Sequence, residues 1–387
     1  MAYKGKFSKN KSRRVSPFFI LLGIVLVPVC AYATWMLLTG MVDTVGRPGV
    51  AAQDKTPDMA IMDRFDTYMT NQVSDALEGV MAVKKRYWLE EQAEVPEPNY
   101  SGYGESDNAF SLGWLLEDAA ELMEGQELYF HLEKQLFEGS KVLYYLDESI
   151  FVLTWKEVHN DTVYTFSEIK VSHPSQFRRH LAGGEYGSDM QFYTTEMAES
   201  VNAVVASSGD FYRFREWGTS VYEGQVRRVH GTYAHTCYID ENGDLLFTYG
   251  GEMTSMEKAK AYVEEHGIRF SLAFGPVIVD NYEVKVPNWY GLGEITEEYA
   301  RAALCQMDSL HYLLVTANTE GVHDNTPTVQ SFANVIGQTG CRMAYCLDGG
   351  QTAAIVMNDQ LINRPVYGTQ RKISDIIYFA TAVPEGE

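Results

Sequence analysis

Cysteine is scarce in this chain, five residues in 387, and that scarcity argues against a disulfide-framed fold. Cys30 falls in an apolar run, which leaves Cys237, Cys305, Cys341 and Cys346. Cys341 and Cys346 stand five positions apart in a segment that reads as a strand, a spacing that points them to opposite faces and keeps them from bridging. No spacing of a common zinc site appears. The four thiols read as free, mostly buried groups, and neither a metal nor a cofactor is expected. Internal repeats are lacking as well. Positive charge is sparse, with 31 Lys and Arg against 52 Asp and Glu, a net −21. Six of those cations (Lys4, Lys6, Lys9, Lys11, Arg13 and Arg14) crowd into the first 14 positions. The remainder is therefore more acidic still, and its surface repels phosphate backbones, so no nucleic-acid partner is expected. A polyanionic substrate would need a locally basic pocket.

What is present supports a folded protein. Hydrophobic residues make up 45% and aromatics 13%, enough to bury a sizeable core. Pro17 to Leu38 runs 22 residues without a charge, which as a helix spans roughly 33 Å and matches a bilayer core. The cationic tail ahead of it predicts a single-pass membrane protein with its N-terminus cytoplasmic and its C-terminal domain extracytoplasmic. A cleaved signal peptide is the competing reading, because Ala31-Tyr32-Ala33 forms an A-x-A site. Against it, Thr34 to Leu38 continues the apolar stretch.

The implied organisation is a basic tail over 1–16, an anchor over 17–39, a linker and helical spacer over 40–140, and a main domain over 141–383. A helix starts at Thr56-Pro57-Asp58, with Thr56 as N-cap. Met62, Phe65, Met69, Val73, Leu77 and Val80 form one apolar stripe along it. The stripe over 56–91 needs a partner: its own domain, a second copy in a homodimer, or another membrane protein. Ala93 to Asn108 reads as a second linker or long loop, and shorter helices are expected over Ser111 to Met123 and Glu127 to Phe137.

From about Lys141 strands dominate. Ser149 to Val158 and Thr162 to Val171 form a hairpin around His159-Asn160-Asp161. Strands then alternate with helices at Met197 to Asn202, Met256 to Glu265 and Val329 to Ile336. The expectation is an α+β fold, a large and mostly antiparallel mixed sheet with flanking helices, preceded by the transmembrane helix and the spacer.

Four segments carry a resemblance. They are Ser208-Gly209-Asp210-Phe211-Tyr212; Phe274-Gly275-Pro276-Val277-Ile278-Val279; Arg301 to Gln306 followed by His311-Tyr312-Leu313; and Ala344 to Thr352 followed by Arg371-Lys372-Ile373-Ser374-Asp375. In this order and spacing, residues 141 to 383 resemble the phosphodiester glycosidase family, which includes N-acetylglucosamine-1-phosphodiester hydrolases and bacterial proteins linked to exopolysaccharide. The family favours Asn where Ser208 and Cys346 stand, Gly at Cys305 and Ser at Thr352, and an aspartate near Ala317-Asn318 is missing here. The resemblance implies a hydrolase acting on a glycan or sugar-1-phosphodiester. A catalytically weak glycan-binding or scaffold protein of an envelope or exopolysaccharide assembly is the alternative.

Cleaving a sugar from a phosphodiester builds oxocarbenium character at the anomeric carbon, so a nearby carboxylate should stabilise it or activate water. Asp210 and Asp348 are the candidate carboxylates, both beside glycines that let backbone approach a ligand. The departing phosphate needs cations more than a strong acid. Arg301 and Arg371 are the family-matched candidates, with Ser208, Thr352 and the Gly349 and Gly350 amides as further substrate or phosphate contacts. An Asp-Gly pair is also ordinary turn chemistry. His311 reads as a satisfied core histidine and Thr328 as an N-cap.

Overall fold

The structure, a computed structural model, describes residues 87–91, 93–132, 134, 136–230, 233–291 and 295–383. The basic tail, the expected anchor, the linker after it and nearly all of the 56–91 helix lie outside the described residues. Among the described residues no helix is long and apolar enough to cross a membrane.

An α+β architecture is observed, with a large antiparallel sheet and few helices. Nine strands pair in the order Tyr103–Ser106, Val142–Leu146, Ile150–His159, Thr162–Val171, His311–Asn318, Arg301–Asp308, Met343–Leu347, Val277–Asp280 and Glu283–Val284. A five-stranded sheet runs Gln360–Leu361, Ile355–Met357, Val205–Ser208, Asp375–Phe379 and Phe177–Leu181. Leu245–Thr248, Thr236–Asp240 and Ile268–Leu272 make a third sheet, and Gly218–Tyr222 pairs with Gln225–His230.

Side-chain alternation explains the layering. Along Ile150–His159, Phe151, Leu153 and Trp155 enter one core, while Ile150 and Val152 enter the other, the period of two that a pleated strand imposes. The first core packs under the helix Val329–Gln338 through Phe332 and Ile336, and under the 109–130 segment through Leu112, Leu115 and Phe130. The second fills the space between the nine-stranded and five-stranded sheets with Tyr312, Phe177, Ile377 and Phe379. Asn160 and Asp161, both at positive φ (50° and 61°), close the expected hairpin as a two-residue turn whose twist matches the strands.

Three expectations need correction. The described residues of Glu127 to Phe137 are not helical. The buried Glu168 carboxylate captures the Tyr129 and Phe130 amides at 2.7 and 2.8 Å, and the Phe137 amide donates to the Lys156 carbonyl at 2.8 Å. The Phe137 amide is thereby taken from any helical ladder, and Glu168 anchors the start of the segment in a non-helical course. Ala93 to Asn108 does not run as a plain linker: Tyr103–Ser106 is the edge strand of the large sheet, and Asn202 Nδ2 donates to the Val95 carbonyl at 2.8 Å. Cys341 and Cys346 do not face opposite sides; both lie in the first core. Cys341 precedes the strand Met343–Leu347, so the strand period does not apply to it. All four described cysteines are free and buried.

Candidate active site

The site forms where strands of the two larger sheets end together. Val205–Ser208 runs out into Gly209-Asp210, and Met343–Leu347 into Asp348-Gly349-Gly350. The two exits are tied: the Asp348 amide donates to the Gly209 carbonyl at 3.1 Å, and Ser208 Oγ to the Asp348 carbonyl at 3.4 Å. Arg301 opens the neighbouring strand, paired through Ala302 and Leu347. Gly350, at φ 64°, takes a turn that other residues resist. A Cβ on Gly349 would stand 2.6 Å from the Ala300 carbonyl oxygen. The glycines therefore let the loop lie close against the start of the Arg301 strand.

Asp348, Arg301 and Arg371 line one cleft of about 230 Å³, together with Arg215, Phe274 and Cys346. Each guanidinium lies near an aromatic ring. Arg215 Cζ is 5.0 Å from the Phe274 centroid and 5.9 Å from that of Phe211. Arg371 lies 5.4 Å from Phe211, and Arg301 lies 5.7 Å from Tyr299. An aromatic face steadies a guanidinium without occupying its in-plane donors. Arg301 is held further by the carbonyls of Glu297 (2.6 Å) and Pro327 (3.3 Å). Burial pushes the Asp348 carboxyl up to about 6; the adjacent Thr352 hydroxyl and the charges of Arg215 and Arg371 oppose that rise, and Asp210 adds to it.

A larger cavity of about 500 Å³ opens beneath residues 91–97, beside Arg178, Arg179 and Arg269. Arg178 donates to the Leu89, Glu90 and Ser175 carbonyls, and Arg269 to those of Pro174 and Phe177. Arg179 is bound to carboxylates. The smaller cleft, which joins Asp348 to three arginines, is the better candidate for chemistry.

Asp210 sits behind the cleft rather than in its lining. It is fully buried. Its Oδ1 accepts from Arg179 Nη2 at 2.6 Å and from the Tyr212 amide at 2.9 Å, and its Oδ2 accepts from the Ala273 amide at 2.7 Å. Arg179 also reaches Asp375 Oδ2 through Nε (3.0 Å) and Nη2 (2.8 Å). Burial pushes Asp375 up to about 7, with Arg179 pulling it down and Asp210 raising it. Two carboxylates thus share one guanidinium inside the core.

Of the residues singled out from sequence, Asp348, Arg301, Arg371, Gly349 and Gly350 meet at the cleft. The Gly350 amide is already bonded to the Ala300 carbonyl at 2.8 Å. Thr352 Oγ1 donates to the Gly349 carbonyl at 2.6 Å. Ser208 is buried. These groups shape the loop. Arg179, Arg215 and Asp375 were not singled out. Arg215, five positions past Asp210, carried a local signal, and Asp375 closes the fourth family-like segment; Arg179, in the strand Phe177–Leu181 well before Asp210, carried none. His311 is buried against Glu168 at 2.8 Å, and Thr328 caps its helix by accepting from the Ser331 amide. No described His, Cys, Asp and Glu residues group in threes or more so as to hold a metal ion.

Residues 201–380 match the family model described as phosphodiester glycosidase. No curated protein sequence matches the chain. Among solved structures, the catalytic domain of zebrafish N-acetylglucosamine-1-phosphodiester alpha-N-acetylglucosaminidase, auto-inhibited by its pro-peptide, is similar at 13% identity and a TM-score of 0.48, covering 76% of this chain and 96% of that one. A hypothetical protein from Synechocystis is similar at 12% identity and a TM-score of 0.43, covering 60% of this chain. The chain spans 62% of the length of that Synechocystis protein.

Proposed function

We propose, from the match of residues 201–380 to the phosphodiester glycosidase family model, that the Asp348 cleft hydrolyses a sugar-1-phosphodiester. In the same reading the N-terminal apolar run anchors the enzyme, and the domain works on envelope glycan or exopolysaccharide outside the cytoplasm. One observation carries the catalytic part. In a protein of net charge −21, Arg215, Arg301 and Arg371 gather around a single carboxylate in one cleft. That is the local basic pocket an anionic substrate requires.

The chemistry follows from those groups. The arginines take up the phosphodiester and the charge that grows on it as the anomeric C–O bond breaks. The phosphate monoester departs without needing a strong acid. Asp348, pushed up to about 6, is mostly ionised at neutral pH and basic enough to accept a proton from attacking water or to stabilise the developing oxocarbenium ion. Asp210 and Asp375, held by Arg179, act as positioning residues for the Gly209–Asp348 junction.

A second reading, a catalytically weak glycan-binding or scaffold protein, draws on Cys346. This thiol lines the cleft, and burial pushes it up to about 12, so it is neutral there and offers a sugar hydroxyl only a weak hydrogen bond. The test is to offer the full chain N-acetylglucosamine-1-phosphomethyl and related diesters and to measure free sugar. Release that disappears in Asp348→Asn supports the enzyme. Binding without release in the wild type favours the scaffold.

A further inference from the structure

The cleft is continued outward by aromatic rings that no core needs. Trp289 is 65% exposed and Tyr233 53%, and their rings meet edge to face at 5.3 Å. This pair is joined to the cleft wall. Tyr290, next to Trp289, lines the cleft, and its hydroxyl donates to the Phe274 carbonyl and accepts from the His235 amide. A second ring, Phe214, is 45% exposed and stacks at 4.6 Å on Phe211, the residue over which Arg371 lies. On the other side Tyr299, 41% exposed, carries Arg301. Exposed rings that touch one another beside a cleft are the kind of apolar patch that marks a binding surface.

We infer that these rings are a platform for the sugar units beyond the scissile bond, so that the substrate is a glycan polymer or long oligosaccharide bearing the phosphodiester rather than a small diester. This rests on the reading of the cleft given above. Three features favour sugar over another occupant. The rings adjoin the cleft at two places, through Tyr290, which follows Trp289 in the chain and lines the cleft, and through Phe211, which stacks on Phe214 and lies under Arg371. Sugar rings present C–H faces that pack on aromatic faces, whatever the charge of the chain. In a protein of net charge −21, contacts to the uncharged faces of sugar units do not depend on the charge balance, and stacking supplies them. Trp289 and Tyr233 thereby set specificity for length without touching the reacting atoms.

The probe is a polymer of N-acetylhexosamine 1-phosphate units joined by phosphodiesters, compared with the corresponding monomeric methyl diester. Both are offered to the full chain, to Trp289→Ala and to Tyr233→Ala, and the readouts are retention and release of free sugar. The polymer is expected to bind about tenfold more tightly than the methyl diester, and each substitution to remove most of that advantage while leaving the methyl diester unaffected. Equal binding of short and long probes by the wild type overturns the platform, and so does an unchanged length advantage in both variants. Turnover of the methyl diester without any length advantage sinks the platform and leaves the cleft reading standing. Polymer retention that depends on Trp289, without turnover of either probe, keeps the platform and sinks the hydrolase. A wild type that retains neither probe, with or without a self-association that Trp289→Ala abolishes, also overturns the proposal; with that self-association, the rings belong to a second copy of the chain.

Discussion

The carboxylate of Asp375 presses directly on Gly209, where a Cβ would stand only 1.9 Å from Oδ2. Asp375 also bonds the backbone on either side, its carbonyl accepting from the Gly209 amide at 3.0 Å and its Oδ2 from the Asp210 amide at 3.2 Å. Gly209 in turn accepts the Asp348 amide. A buried ion cluster is thereby linked, through one glycine, to the residue proposed to react. Gly209→Ala cannot be accommodated by a side-chain rotation, because the obstacle is a charged group already held by Arg179. A loss of about 3 kcal/mol or more is expected. Chemical denaturation measures it, and an unchanged midpoint contradicts this geometry.

The cluster itself predicts an asymmetry between its members. Removing Arg179, as Arg179→Leu, strands Asp210 and Asp375 in the core without their shared cation. Breaking a buried pair in this way costs about 3–5 kcal/mol. Asp375→Asn keeps the shape and an acceptor for Arg179 and removes a carboxyl that burial already pushes toward its neutral form, so its cost at neutral pH should be far smaller. Thermal unfolding of the two variants side by side should rank them clearly, and equal losses would mean that the charge balance argued here is wrong.

Asp348 makes a prediction with a definite sign. Its folded pKa, about 6, lies above the ordinary 3.8, so the folded state binds this proton more tightly than the unfolded chain does. The group's contribution to stability is most favourable below pH 4 and falls as pH rises from about 4 through about 6. At pH 7 its ionisation opposes folding. Asp348→Asn should therefore stabilise the protein by about 1–3 kcal/mol at pH 7 and give little below pH 4. In the same variant sugar release should be lost. In the wild type kcat/KM should climb through pH 6 as the carboxyl ionises. A variant that is inactive and also less stable at pH 7 would place Asp348 in a structural role.

Much of this fold was legible because its signals are local. Asn160 and Asp161 tolerate the positive φ that a two-residue hairpin needs, and the alternation in Ile150–His159 is a property of consecutive residues. Asp348 was legible through its glycine pair. The illegible parts depend on contacts far apart in sequence. The described residues of the 127–137 segment are not helical, and its Phe137 amide goes to the Lys156 carbonyl of a distant strand. Asp210 and Asp348 look alike in sequence, each a carboxylate beside glycine. Only the folded chain turns one into the cleft and gives the other to Arg179, which lies 31 positions earlier.

Arg371 offers the sharpest test of the phosphate contact, because it is the exposed member of the arginine group and can be changed with little risk to the core. Its guanidinium stands 5.4 Å from the Phe211 ring, and Arg215 lies 5.9 Å from the same ring. Phe211 is itself at φ 63°, a conformation unusual for a bulky residue. A side chain held there against its preference fixes where two cations stand. Arg371→Ala should lower kcat/KM by roughly 100-fold, the loss typical of one donor aimed at a charge that grows in the transition state. Arg371→Lys keeps the charge but loses the planar stack and the bidentate fork, so it should recover only part of that loss. Phe211→Leu leaves both arginines in place chemically and removes the ring that steadies them. Its activity should fall between those of wild type and Arg371→Ala. Should Lys restore full activity at position 371, the pocket needs only charge, and the stacked geometry has no part in catalysis.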